Sequence, residues 1–257
     1  MSIKLQEEYG DDLQVLFVEV QGREPDVPFA LKKKWLGGRA MWTTERPFNL
    51  GLTGIPNFGL IAPDGEMVLS GYTLQHTSEI EERIEEMVKS ANKPSKDLPK
   101  DVGKALVDAN KGEYAKALEA LDDVLADEKA AEDHAAAQEA RAEVVRRVES
   151  QLRRADWLLS NGYPLEGEEL VDDLAKGLKG PKGIDLGAEK LAAFESRLAS
   201  DEMKAELSAA KSLAKLEEKL FEDGPDEKAQ SKLFKLAEKH AGTKVAERAT
   251  ELAKIAG

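Results

Sequence analysis

No cysteine occurs among the 257 residues. Without a thiol the chain can form no disulfide, no thiolate–metal site and no cysteine nucleophile. Thiol–disulfide exchange, which needs a thiolate attacker, is excluded with them. The absence selects no compartment, because reduced and oxidising locations both hold cysteine-free proteins. A basic surplus is also lacking. The net charge of −13 denies the chain the broad basic surface that nucleic-acid binding or adsorption to anionic lipid requires. No nucleic-acid partner is expected, and the charge reads as a source of solubility. No apolar run approaches the ~20 residues that span a bilayer. The opening MSIKLQEEYGDD is charged and has no apolar signal-peptide core, so the chain as it stands is expected to be soluble and not exported. Aromatic residues make up only 5% while charged residues reach 34%, a balance that favours solvent-exposed helices over a large aromatic core.

Two regions with different periodicities follow one another. Residues 1–92 mix strand and helix signals. SIKLQEEYG reads as a short helix ending at Gly10, and LQVLFVEVQ (13–21) as a strand buried on both faces, because its apolar character is nearly continuous. A loop punctuated by Pro25 and Pro28 leads to an expected helix over FALKKKWLGG (29–38). PNFGLIA and EMVLSGYT, separated by Asp64-Gly65, form an expected antiparallel hairpin. Ser78 with Glu81 three residues later predicts a capping box, and Ile80, Ile84, Met87 and Val88 follow on one helical face. Residues 93–100, within the polar stretch NKPSKDLPK, read as a linker. The remainder, 101–257, is helical. Helices are expected at about 98–111, 113–126, 130–161, 165–178, 184–199, 201–222, 226–240 and 243–256. They are punctuated by Gly112, Asn161-Gly162 with Pro164, Gly180-Pro181, Gly224-Pro225 and Gly242-Thr243. Short turns between amphipathic helices predict a helical repeat array or an irregular bundle.

Residues that carry chemistry are sparse. His76, His134 and His240 are far apart and form no ligand pair, so no metal site is expected. The doublets Asp122-Asp123 and Asp172-Asp173 read as solvated helix faces, because adjacent helical positions do not converge on one substrate. GLKGPKGIDLG (177–187) is glycine-rich but lacks phosphate-loop spacing and reads as an inter-helix loop. KKKWLGGRAMW (32–42), with Trp35 and Trp42, reads as a half-buried helix with a basic face. Arg146, Arg147, Arg153 and Arg154 lie among Glu143, Glu149 and Asp156 and read as a salt-bridged helix face. No catalytic residue and no cofactor is expected.

The order of elements in the first region, with Gly54-Ile55-Pro56 entering a hairpin, resembles the C-terminal part of a thioredoxin-like domain of the redoxin type. In that family a cis-proline opens the strand that leads into the hairpin and a last helix; Pro56 stands at its position, and IAPDGEMVLSGYT at the hairpin. The resemblance implies an α/β/α sheet. It lacks the family's first strand and its Cys-x-x-Cys, of whose helix SIKLQEEYG would be the last turns. It also implies that the backbone of Ile55 pairs with an extended peptide, making Gly54, Ile55 and Pro56 the candidate peptide-binding residues. KALVDANKGEYAKALEALDDVLAD resembles a tetratricopeptide-like helical hairpin, with Gly112 at the turn and Tyr114, Ala117, Leu121 and Val124 on the second helix. KLFKLAEKHAGTKVAERATELAKIA repeats the theme around Gly242-Thr243. The family's Trp and terminal Pro positions are not met.

The expected fold is therefore a partial thioredoxin-like α/β sheet joined to an all-α helical repeat or bundle. Its partner is expected to be a protein or an extended peptide. Two functional readings stay open. In one the protein is a redox-inactive binding scaffold. In the other it is the C-terminal part of a thiol–disulfide oxidoreductase whose Cys-x-x-Cys lies upstream of Met1, which would make the natural protein exported. A third treats the first region as an unrelated small α/β cap on a helical adaptor.

Overall fold

The structure is a computed structural model and describes residues 2–9, 12–18, 41–43, 49–62, 65–91, 93–180 and 186–256. The elements in chain order are α1 (Ser2–Tyr9), β1 (Leu16–Val18), β2 (Met41–Thr43), β3 (Asn57–Ile61), β4 (Met67–Tyr72), α2 (Thr77–Ala91), α3 (Lys100–Asn110), α4 (Tyr114–Ala126), α5 (His134–Ser160), α6 (Pro164–Gly177), α7 (Ala188–Leu198), α8 (Asp201–Asp223), α9 (Glu227–Lys239) and α10 (Lys244–Ile255). The protein is mostly α-helical with a small β component. It divides into two compact units. One comprises Met1–Lys89, Glu217–Gln230 and Lys254–Gly257; the other comprises Ser90–Leu216 and Ser231–Ala253.

In the first unit β1 pairs with β2 in parallel, and β3 pairs with β4 antiparallel. Among the described residues the two pairs remain separate sheets. The hairpin closes where expected: Ala62 N–H donates to Glu66 O at 2.8 Å, Gly65 N–H donates to Ala62 O at 2.9 Å, and Gly65 takes φ 91°. Leu5 of α1, Leu60 of β3, and Ile80 and Ile84 of α2 form the core, with Phe58, Leu69, Met87 and Val88 packed against it. The apolar face expected on α2 is therefore the buried one. Gln6 ties α1 to the segment leading into β1, its Oε1 accepting from Val15 N–H at 2.5 Å and its amide donating to Leu13 O.

Three sequence expectations need correction here. Among the described residues of the run expected at 13–21 the strand covers Leu16–Val18, and it is not buried on both faces, since Leu16 and Val18 are 43% and 38% exposed; residues 19–21 lie outside the described residues. Continuous apolar character sufficed for a strand but not for cover on both sides. Ser78 is not the helix cap, because α2 begins at Thr77 and the Ile80 N–H already donates to His76 O at 2.9 Å. Met41 and Trp42 belong to strand β2 and not to a helix. The loop at Pro25 and Pro28, the helix expected at 29–38 and the Gly10 helix end lie outside the described residues.

The second unit follows its punctuation closely. At the α3–α4 turn Gly112 takes φ 78°. Its N–H donates to Ala109 O at 3.0 Å, and Glu113 N–H donates to Asp108 O at 3.0 Å. This pair of bonds is the left-handed helix termination that glycine favours. The long helix expected at 130–161 starts later: a 3-10 segment, Glu128–Asp133, precedes α5.

Helix α5 carries buried residues at three- and four-residue steps: Ala137, Ala140, Val144, Val148, Leu152, Ala155 and Leu159. That spacing places them on one stripe. The first three pack with Val102, Ala105, Leu118 and Leu121 of α3 and α4. The last four pack with Val171 and Leu174 of α6, Phe194 of α7 and Met203 of α8. Burying a leucine side chain contributes about 1.5–3 kcal/mol, so the stripe dominates this unit. Leu152→Ala is expected to lower the unfolding free energy by about 2–5 kcal/mol in chemical denaturation, through lost contact and the cavity left behind.

Helix α10 is capped from another element. The Glu206 carboxylate of α8, only 8% exposed, accepts from Lys244 N–H at 2.6 Å and Val245 N–H at 3.1 Å. Thr243 Oγ1 takes the next N–H, from Ala246, at 3.0 Å. A carboxylate at a helix N-terminus satisfies orphan donors and meets the positive end of the helix dipole. Glu206→Ala leaves two N–H groups, that of Val245 buried, without their acceptor and is expected to cost about 1–3 kcal/mol. Hydrogen exchange would show the loss first at Lys244 and Val245.

Candidate functional site

The entrance to β3 is built by close approach. A Cβ placed on Gly54 would lie 2.9 Å from Tyr72 Cε1, so any larger residue must displace the tyrosine ring. The Gly54 carbonyl accepts from Asn57 Nδ2 at 2.7 Å, and the Pro56 carbonyl accepts from Thr73 N–H at 3.1 Å. The Ile55–Pro56 peptide bond is cis. Ile55 is thus held between two anchored neighbours. Its side chain is 61% exposed, and among the described residues neither its N–H nor its C=O has a hydrogen-bond partner. An extended segment laid beside Ile55 would find one donor and one acceptor free to pair.

His76 stands near this entrance in a structural role. Its Nδ1 lies 2.8 Å from Glu79 Oε2, and its ring packs 5.9 Å from Phe58. A Cβ on Gly71 would meet the ring at 2.7 Å, so Gly71 makes the space it occupies. The other histidines lie elsewhere. His134 Nε2 is 3.0 Å from Asp127 O, and His240 sits between α9 and α10. Among the described residues no group of three or more His, Asp or Glu side chains is placed to hold a metal ion.

Several of the remaining charged candidates are ion-paired on helix surfaces, while Arg146, Arg154 and Asp172 make no ion pair among the described residues. Arg141 Nε donates to Asp122 at 2.6 Å, and Lys176 Nζ donates to Asp173 at 3.0 Å. Arg147 donates to Asn110 at 2.5 Å and also to Glu143; Arg153 lies 4.0 Å from Glu149. Asp156 takes Arg197 of α7 at 3.3 Å, and the same guanidinium donates to Leu159 O at 2.9 Å. The arginine face of α5 therefore ties helices together as well as facing solvent. In the glycine-rich stretch, a Cβ on Gly177 would fall 2.0 Å from Gly112 O and one on Gly180 would fall 2.9 Å from Ala115 Cβ. These glycines serve packing against the α3–α4 turn; residues 181–185 and 32–40 lie outside the described residues. Of the hairpin residues singled out, Ala117 and Leu121 are fully buried, and Tyr114 packs against both cores of the unit.

One arrangement gave no sequence signal. Trp157 stacks on Tyr163 with centroids 5.5 Å apart, and the Arg248 guanidinium lies 3.8 Å from the Tyr163 ring centre. Arg248 also donates to Gly162 O at 2.5 Å. A Cβ on Gly162 would sit 2.9 Å from the Lys244 carbonyl, so the α5–α6 turn and the start of α10 touch backbone to backbone. Arg248 lies 86 residues from Gly162, too distant in sequence for spacing to link them.

The chain has no match among protein-family models, curated proteins or solved structures. Among the described residues no helix is long and apolar enough to cross a membrane.

Gly54→Val should force the Tyr72 ring aside. The expected cost is about 1–3 kcal/mol of stability, typical of overpacking. The Tyr72 ring resonances in the NMR spectrum should shift, with those of Tyr163 unchanged.

Proposed function

We propose that this protein is a binding scaffold in which a redox-inactive, thioredoxin-like module is joined to tetratricopeptide-like helical hairpins. Its first region takes an extended peptide at Gly54, Ile55 and Pro56. The observation that carries this reading is the pair of unspent backbone groups on exposed Ile55, held between the fixed carbonyls of Gly54 and Pro56. Backbone pairing of this kind needs no cysteine and little side-chain specificity. The helical hairpins offer a second surface for a protein partner, by analogy with arrays of the same type.

The test uses carboxymethylated insulin B chain as an extended peptide without a free thiol. Titration into the isotope-labelled protein should shift the Ile55 and Asn57 amide signals. Ile55→Pro, which removes the Ile55 N–H, should weaken binding at least about tenfold, the equivalent of one hydrogen bond lost in a paired strand. Shifts confined to the helical unit, or binding unaltered in Ile55→Pro, would overturn the assignment of the site. In an insulin-reduction assay the chain should show no turnover.

A further inference from the structure

The outer edge of β3 carries information beyond Ile55. The bond from Thr73 N–H to Pro56 O makes Pro56 and Thr73 a hydrogen-bonded pair. In an antiparallel ladder such pairs alternate with unbonded ones. Phe58, opposite Gly71, and Leu60, opposite Leu69, therefore also direct their backbone groups toward β4. Asn57, opposite Tyr72, and Gly59, opposite Ser70, direct theirs away from it. Among the described residues those outward groups have no partner. The register shift between Leu60 and Ile61 is absorbed by β4, where Leu69 and Met67 pair and Val68 does not, so the edge of β3 is uninterrupted. Asn57–Ile61 contains no charged residue and no proline, the usual devices that keep a sheet edge from pairing.

We propose that two copies of this chain associate through their β3 edges, antiparallel about a two-fold axis that passes between Phe58 and Phe58 of the second copy. In this register Asn57 of each copy faces Gly59 of the other. Each such pair exchanges two backbone hydrogen bonds, so symmetry makes four. Ile55, just before the strand, and Ile61, at its far end, are exposed large apolar residues, 61% and 37% accessible, and antiparallel pairing brings the Ile55 end of one copy to the Ile61 end of the other. A slip of two residues in either direction sets an isoleucine against Gly59 or Asn57 instead. A slip of one residue matches outward groups with inward ones.

The edge thus presents what its own occupant must present: two uncharged residues with outward backbone groups, flanked by isoleucines. That self-complementarity is the requirement of a two-fold interface. It favours a second copy over an unrelated strand. The net charge of −13 on each copy opposes approach at long range, so salt should favour pairing. The inference does not rest on the peptide reading, but pairing covers Ile55, so association of copies and capture of a peptide exclude each other.

Sedimentation equilibrium of the full chain, from about 5 µM to about 500 µM at low and high salt, tests the proposal in the range suited to a small interface. The mass should rise with concentration from 28.1 kDa toward twice that value, and more steeply at high salt. Gly59→Pro, which removes an outward N–H, and Ile61→Lys, which charges the edge, should each weaken association at least about tenfold with unchanged circular dichroism. Trp157→Ala, in the helical unit, should leave association unchanged. Should Gly59→Pro fail to fold, Ile61→Lys decides alone. A mass fixed at the monomer value overturns the proposal, as does association that Ile61→Lys leaves intact. A monomer that still captures the B chain at Ile55 overturns it while leaving the peptide site standing.

Discussion

The apolar stripe of α5 is shared by both cores of the helical unit. Ala137, Ala140 and Val144 close the core of α3 and α4, while Val148, Leu152, Ala155 and Leu159 close that of α6, α7 and α8. Because one helix carries both sets, its rotation about its own axis is determined twice over. Turning it to improve one core would expose the other. The small residues at Ala137, Ala140 and Ala155 let neighbouring helices approach closely, and the leucines fill the space that remains. The polar face follows from that orientation: Arg141 reaches Asp122 of α4, and Asp156 reaches Arg197 of α7. Exposed ion pairs such as these contribute little individually, so they act as consequences of the packing.

The small β component obeys a different constraint. Each strand pair satisfies its backbone groups on one side, and a sheet edge left uncovered keeps donors and acceptors that favour any strand able to reach them. The proposed peptide site at Ile55 and the proposed self-pairing along Asn57–Ile61 would both draw on such unsatisfied backbone. The helical unit, whose backbone groups bond internally, has no equivalent. Its interactions with a partner would have to come from side chains such as exposed Trp157.

Much of the helical unit was legible in advance. Gly112, Gly162 and Gly242 take positive φ at its breaks, and Pro164 opens α6 at its first residue. The signals work because they are local: a glycine or proline acts on its own backbone torsions whatever surrounds it. The candidate site was legible only in part. Gly54-Ile55-Pro56 stood out as a strand entrance, but what disfavours a larger residue at Gly54 is the ring of Tyr72, eighteen residues away. The expected Ser78 cap failed for a similar reason. Ser78 and Glu81 have the right spacing, yet Thr77 Oγ1 donates to Thr73 O at 3.2 Å, His76 lodges on Gly71, and the helix starts two residues earlier, with His76 O accepting from Ile80 N–H.

By itself the sequence determined what the chain cannot do with thiols, where its helices break, and which faces of those helices are apolar. These properties reside in residue types and in spacings of a few residues. Only the tertiary structure decided that Glu206 caps α10, that Arg248 lies on Tyr163, and that β1 is half exposed although its sequence reads as core. It alone shows that, among the described residues, the outward Asn57 and Gly59 backbone groups have no partner. Each of these depends on which distant segment arrives beside a residue, and burial and hydrogen bonding are properties of that meeting. No periodicity within one segment encodes them.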